Sequence, residues 1–414
     1  MSGCSCSGVR AEAGRGVAPA LWSAAFLTLF GINVCLFGSM NMLLATMPVH
    51  FRDHGMTEAL IGFIFGAFYV SSIASRLMTG RLAWRLGELP LLKAALLTAA
   101  LGNALMLAWD GFPVYLLTRA VNGAGVGAAT TLMISLASKI IPPLRLAEGL
   151  GRLALGASLA LAFGPLLGLK LAERLGFPAT LAATCLLLAA GFAAASSLAP
   201  ADFPGSGVGA HGAAPAPGGR GRRLPERELL MPAILILLLG GACCGIFTYL
   251  VLYLDEAGIQ GAAAFFFVAT LGIVATRLVG GRIHDRFGHL FVVAPSCLLI
   301  TVALLILLAA PGGTAVRLAA LCFGLGMGAL FPSLQALSIS YSPPARRTLA
   351  AALSLNGYDV GIALNTVAMG CLSEFFHTYR SVYAATPLFM VALLLVYSLS
   401  PVFLKGKRAG AAGG

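Results

Sequence analysis

Charge is scarce in this chain. Only 10% of its 414 residues are Asp, Glu, Lys or Arg, and just 15 are acidic, whereas about a quarter of an ordinary soluble domain is charged. Patterns that carry chemistry are missing as well: there is no nucleophile elbow, Walker sequence or HExxH. His50 and His54 read as solvated residues of one loop, and His284 and His289 of another, with no third donor at metal-ligand spacing. Ionisable groups do not cluster near one boundary, so neither an enzyme nor a metal or other cofactor is expected. The cysteines imply no disulfide framework. Cys35, Cys185, Cys243, Cys244, Cys297 and Cys322 lie inside apolar runs and Cys371 near the end of one, where they serve as small hydrophobes.

What is abundant is apolar: 59% of the residues are hydrophobic, more than one or two soluble cores could use. Polar interruptions divide the chain into stretches of about 20 residues, enough to cross a hydrocarbon layer of roughly 30 Å as helix. They fall near 21–46, 59–79, 90–110, 114–138, 147–171, 179–199, 228–254, 261–281, 290–310, 315–338, 348–374 and 381–404. The expected fold is an all-α membrane protein of twelve transmembrane helices, with the lipid bilayer as its solvent.

A net charge of +12 would suggest nucleic acid in a soluble protein, so the placement of the basic residues decides the matter. With the N-terminus inside, 19 of the 27 Lys and Arg fall in cytoplasmic segments and five at outer ends; Arg76, Arg119 and Arg277 fall within helices. This is a positive-inside distribution. It predicts a multi-pass protein of the cell inner membrane with both termini cytoplasmic, and no nucleic-acid partner. The expected division is a tail at 1–20, a six-helix bundle at 21–199, a Pro-, Gly- and Arg-rich cytoplasmic linker at 200–227, a second bundle at 228–404 and a tail at 405–414.

The two bundles repeat each other. Ser75-Arg76-Leu77-Met78-Thr79-Gly80-Arg81 lies over Thr276-Arg277-Leu278-Val279-Gly280-Gly281-Arg282 at an offset of 201 residues. The same offset carries Gly123, Gly125 and Gly127 onto Gly324, Gly326 and Gly328, Pro142-Pro143 onto Pro343-Pro344, and Gly156 onto Gly357. One register that aligns arginines and a proline pair across four helices marks a duplication. Six helices return the chain to its starting face, so the halves are parallel repeats.

The block Gly281-x-x-x-Asp285-Arg286-x-Gly288, with Arg282 inside it, in a short loop after the second helix of a half, resembles the loop signature of the major facilitator superfamily. The first copy keeps Gly80, Arg81, Arg85 and Gly87 but has Trp84 at the aspartate position and Glu88 at a later basic one. Arg119-x-x-x-Gly123-x-Gly125-x-Gly127 is similar to that family's fourth-helix motif. Gly156 with Gly164-Pro165-Leu166-Leu167-Gly168 resembles the fifth-helix motif common among its proton-driven exporters. The resemblance covers nearly the whole chain and implies two six-helix halves with a solute site between them. In the family the loop aspartate meets a helix N-terminus of the opposite half, a role open here to Asp285 near Arg145 and Glu148.

Of the acidic residues only Asp359 lies well within an apolar helix, where a carboxylate is costly and marks a pathway. It is the candidate proton-coupling site; the alternative is a purely structural pairing with an arginine or a helix N-terminus. Asn356 falls on the same face one turn earlier. Arg119, roughly 9 Å into its helix, suits carboxylate or phosphate recognition or else bonds to nearby carbonyls. Arg76 and Arg277, read as one turn inside the cytoplasmic helix ends, are explained by snorkelling. The resemblance places helices 1, 4, 7 and 10 around the cavity, which makes Asn33, Asn41, Asn122, Thr248, Tyr249, Tyr253, Phe331 and Gln335 candidate substrate contacts. Each could instead be an interhelical hydrogen bond. The expected activity is alternating-access transport of a small-molecule substrate, coupled to protons and directed to efflux, with symport uptake as the alternative and a membrane-embedded enzyme or sensor as a remote one. The chain is expected to act as a monomer.

Overall fold

The computed structural model describes residues 23–141, 146–203, 227–287, 289–309, 312–340 and 347–399. Within these, the side chains of 146–148, 227–230, 278–287, 339–340 and 347–352 are not described. The described residues form helices and no strand. In order they are α1 (Ala24–Asp53), α2 (Glu58–Leu86), α3 (Glu88–Ala108), α4 (Phe112–Ile140), α5 (Leu146–Leu175), α6 (Phe177–Ser196), α7 (Arg227–Cys244), α8 (Leu250–Glu256), α9 (Ala262–Phe287), α10 (Leu290–Ala309), α11 (Gly313–Ser340), α12 (Arg347–Phe376) and α13 (Arg380–Leu399). A π-helical turn, Gly245–Tyr249, joins α7 to α8. That rod is the seventh expected crossing, and α9–α13 are the eighth to twelfth. Ten helices are long and apolar enough to cross a membrane among the described residues, and Ala262–Arg277 is a shorter apolar one.

Local chemistry explains where the helices begin. The Ser23 hydroxyl accepts from the Phe26 amide (3.2 Å) and Thr57 from the Leu60 amide (3.5 Å), each satisfying a donor that the first helical turn leaves open. The α2–α3 and α5–α6 connections are so tight that Gly87 and Gly176 both take φ +84°, a region that side chains disfavour. Leu77, Met78, Leu101, Leu186, Leu388 and Leu395 are more than half exposed. In water they would be a liability; around a bilayer protein they form the lipid-facing wall.

The duplication is visible in the packing. α1 packs on α5 and α6, α2 on α4, and α3 on α4 and α6; correspondingly α7 packs on α12 and α13, α9 on α11, and α10 on α11 and α13. The halves meet through α2 with α12 and α5 with α9, which are themselves a repeat-related pair. The motif glycines make the close crossings. A Cβ on Gly125 would lie 2.6 Å from the Ala95 carbonyl, and one on Gly326 2.7 Å from that of Ser296, which is the equivalent residue. Gly123 and Gly324 press in the same way on the carbonyls of Phe68 and Ala269. In lipid, close backbone contact of this kind supplies much of the helix association.

Two expectations need revision. The first loop motif is not a loop: α2 runs helical through Gly80, Arg81 and Arg85 to Leu86, and only Gly87 turns the chain. Consequently Arg76 lies about ten residues inside its helix end, as does Arg277 inside α9, roughly 15 Å at the helical rise. That is too deep for one-turn snorkelling. After α6 the chain stays ordered through a 3-10 turn, Pro200–Asp202, to the buried Phe203. Both tails, the segment 204–226 and Gly288 lie outside the described residues, as do the side chains of Arg282, Asp285 and Arg286 and the packing of Gly281.

Candidate functional site

The face where α1 begins and α13 ends is termed the near face, and the opposite one the far face. About ten residues in from the near end of α2, Arg76 reaches across the halves to Asp359 of α12, Nη1 to Oδ2 at 2.6 Å. The two side chains are 18% and 11% exposed. Charge makes this contact rather than an aligned hydrogen bond, since Oδ2 has no partner at hydrogen-bonding angles. Arg76 therefore turns inward to a carboxylate instead of snorkelling. Arg277 of α9 makes the repeat-related contact with α5: its Nη1 donates to Ser158 Oγ at 3.0 Å and to the Ala154 carbonyl at 3.5 Å. Chemically, a proton on Asp359 would cancel the only negative charge in the cross-half pair and leave Arg76 without its counter-ion, which is strongly unfavourable for a buried ion.

Arg119 sits on the far side of this level, 5% exposed. Its guanidinium lies over Phe68 (4.3 Å to the ring centroid) and Phe65 (5.2 Å), and Nη1 donates to Asn122 Oδ1 at 3.2 Å. Nε has no hydrogen-bond partner. Asn122 in turn donates to Asn103 Oδ1 and to the Ala99 carbonyl, both at 2.9 Å. Asn103 donates to Thr184 (3.1 Å) and Ser39 (3.3 Å). This buried polar chain belongs to the first half alone: the offset replaces Arg119, Asn122, Asn103, Ser39 and Thr184 by Ala320, Phe323, Leu304, Gly240 and Ala385. Ser39, Asn103 and Thr184 were not singled out from sequence, although the offset comparison applied to every intramembrane polar residue would have found them; Ser158 was marked by it as the position opposite Asp359.

The remaining candidates do not converge on one pocket. Asn41 donates to the Phe37 carbonyl of its own helix at 2.8 Å and packs against Gly164, and Gly168 packs against Met42. Pro165 lies within α5. The Tyr249 hydroxyl donates to the Thr366 carbonyl at 2.6 Å, Thr248 lies 3.4 Å from the Thr366 hydroxyl, and Tyr253 donates to the Leu307 carbonyl at 2.5 Å. All three are interhelical ties within the second half. Phe331 packs edge-on to Tyr358, centroids 5.1 Å apart, and Gln335 is half-buried. Asn33, against Gly156, and Asn356 each keep a buried side-chain oxygen without a partner.

At the far face Arg52 pairs with Asp255 (2.6 Å) and Glu374 accepts from the Ala59 amide (3.0 Å), both across the halves. In the link after α12, burial first and the nearby Glu58 carboxylate second push the Tyr379 phenol above its ordinary value. A cavity of about 1020 Å³ opens at this face between the ends of α1, α5, α8 and α9, lined among others by His50, Asp53, Glu173, Leu166 and Phe267. It contains none of the expected substrate contacts. His50 is not a solvated loop residue: it ends α1, half-buried and stacked on Phe177 at 3.8 Å. His289 meets the Tyr397 hydroxyl at 2.6 Å. The departures in the first loop motif separate too, because Trp84 is exposed whereas Glu88 is buried and bound to Lys139 and Ser135, each at 2.7 Å.

Known proteins share this architecture. The model of the family described as Major Facilitator Superfamily matches residues 29–364. A protein of Oryza sativa subsp. japonica named "Probable anion transporter 4, chloroplastic" is 28% identical over 166 residues, covering 39% of this chain and 27% of that one. "Quinolone resistance protein NorA" of Staphylococcus aureus is 24% identical over 148 residues, 36% of this chain and 38% of that one. The chain thus matches well under half the length of these curated relatives. Among solved structures, a bacterial homolog of the human lysosomal transporter Spinster, inward-facing and unoccupied, superposes with a TM-score of 0.73 at 15% identity, covering 92% of this chain and 97% of that one.

Proposed function

The chain belongs to the major facilitator superfamily, and on that footing we propose that it is a proton-coupled secondary transporter that exports a small organic solute across the cell inner membrane by alternating access. It is a multi-pass membrane transporter; coupling, direction and sidedness are the proposal. The cross-half pair of Arg76 and Asp359 carries the reading. A carboxylate that ties the halves together when charged, and releases an arginine when protonated, links proton occupancy to their relative position. The excess of Lys and Arg at the near face supports a cytoplasmic near face.

Export is favoured by the fifth-helix pattern, whose Gly156, Gly164 and Gly168 let α1 and α5 approach closely, and by similarity to a protein named for quinolone resistance. A screen of small organic solutes for thermal stabilisation of the purified protein, at one acidic and one alkaline pH, tests the coupling. Stabilisation should depend on pH in the native protein and not in Asp359→Asn. Identical dependence in both would remove Asp359 from the mechanism. Direction is read from vesicles of opposite sidedness: accumulation in inverted ones means export, in right-side-out ones uptake.

A further inference from the structure

The offset of 201 residues carries Arg76 onto Arg277 and Asp359 onto Ser158, and both pairs are in contact across the halves. Among the described residues one pair is complete in charge and the other is not. Arg277 has, among the described residues, only neutral acceptors, the Ser158 hydroxyl and the Ala154 carbonyl. Ser158 itself donates to Ala154 at 3.3 Å, so its lone pairs are what it offers to the arginine. The structure assigns to Arg277 and Ser158 a binding site for the carboxylate of an anionic organic solute, which supplies from outside the charge that Asp359 supplies to Arg76.

Geometry favours Arg277 over the other intramembrane arginines. Arg76 is already paired, and Arg119 is closed in by Phe65, Phe68 and Asn122. Arg277 is exposed. A guanidinium has five donors in a planar fork that matches a carboxylate bidentately, and the two hydrogen bonds described for it both come from Nη1. Charge balance points the same way, because Arg76, Arg119 and Arg277 occupy the middle of the helices against Asp359 alone among the described residues. An arriving anion offsets that excess, whereas a cation adds to it.

The inference deepens the transporter reading and rests on it for its biological meaning, but its test needs no flux. Thermal stabilisation of the purified full chain by benzoate and propionate, each against its neutral amide at constant ionic strength, is measured for the native protein, Ser158→Asp, Ser158→Ala and Arg277→Gln. Both carboxylates should stabilise the native protein more than their amides do, and Ser158→Ala, which removes a hydroxyl of the site without adding a competing charge, should weaken that advantage less than Ser158→Asp does. In Ser158→Asp, where an internal carboxylate takes the place of the solute's, and in Arg277→Gln, apparent affinity should fall about tenfold or more. Asp359→Ser should gain a second site of the same kind at Arg76. Amides as effective as carboxylates, no stabilisation by either, or an advantage that survives in a folded Arg277→Gln would overturn the assignment. Failure of the proton-coupling test would leave the carboxylate result standing, so the two readings fail separately.

Discussion

Replacing both members of the Arg76–Asp359 pair should cost little more than replacing one. In Arg76→Gln a carboxylate is left facing an amide, and in Asp359→Asn a guanidinium loses its counter-ion. Removing one partner of a dry buried pair costs about 3–5 kcal/mol. Here the side chains retain 18% and 11% exposure, so burial of the pair is incomplete, and about 2 kcal/mol for each single change is the better figure. The double variant leaves two neutral amides at the same contact and should also lose about 2 kcal/mol, short of the sum by a coupling of about 2 kcal/mol. The assay is reversible unfolding in mixed micelles, followed by helical circular dichroism for all four proteins. If the double variant matches the sum of the singles within about 0.5 kcal/mol, the two groups do not act as a pair and the cross-half tie falls with them.

Other outcomes can be checked on the same preparations. Gly123→Ala or Gly324→Ala places a methyl group against a backbone carbonyl of the neighbouring helix, and each should lower stability by about 1–3 kcal/mol; neutrality at both would remove close packing as the reason for these glycines. Asn103→Leu takes from Asn122 its side-chain acceptor and from Ser39 and Thr184 their donor, at about 1–3 kcal/mol, and an unchanged melting point would deny the network any structural weight. Tyr379, raised above its ordinary value of 10.0, holds its proton in the folded state after the unfolded chain has released it. Its contribution is therefore fully present below about pH 10 and is lost as pH rises further. Tyr379→Phe should flatten that alkaline loss, and an identical profile in the variant would contradict the burial described for this phenol.

The fold was legible because hydropathy and the repeat register report on the chain's own periodicity. The offset even marked where the halves differ, with Ser158 opposite Asp359 and Arg119 opposite Ala320. What the offset could not supply is which elements meet. Arg76 finds Asp359 only because α2 packs along α12 across the halves, a tertiary fact with no local signal. Depth was misjudged for a related reason: the polar Gly-Arg motif looked like a loop, yet Arg81 and Arg85 continue α2 and leave Arg76 in its interior. A helical wheel also misleads beyond Gly245, where the π turn adds a residue to the spiral and rotates α8 relative to α7. Tyr249 and Tyr253 accordingly point to carbonyls of α12 and α10.

Reconstituted into liposomes under an imposed pH gradient, the native protein should couple flux of the solute found by the stabilisation screen to proton movement, reported by a pH dye in the lumen. Asp359→Asn should still exchange that solute between the two sides while moving no protons with it. Solute-dependent proton movement that persists undiminished in Asp359→Asn would contradict coupling through the Arg76–Asp359 pair.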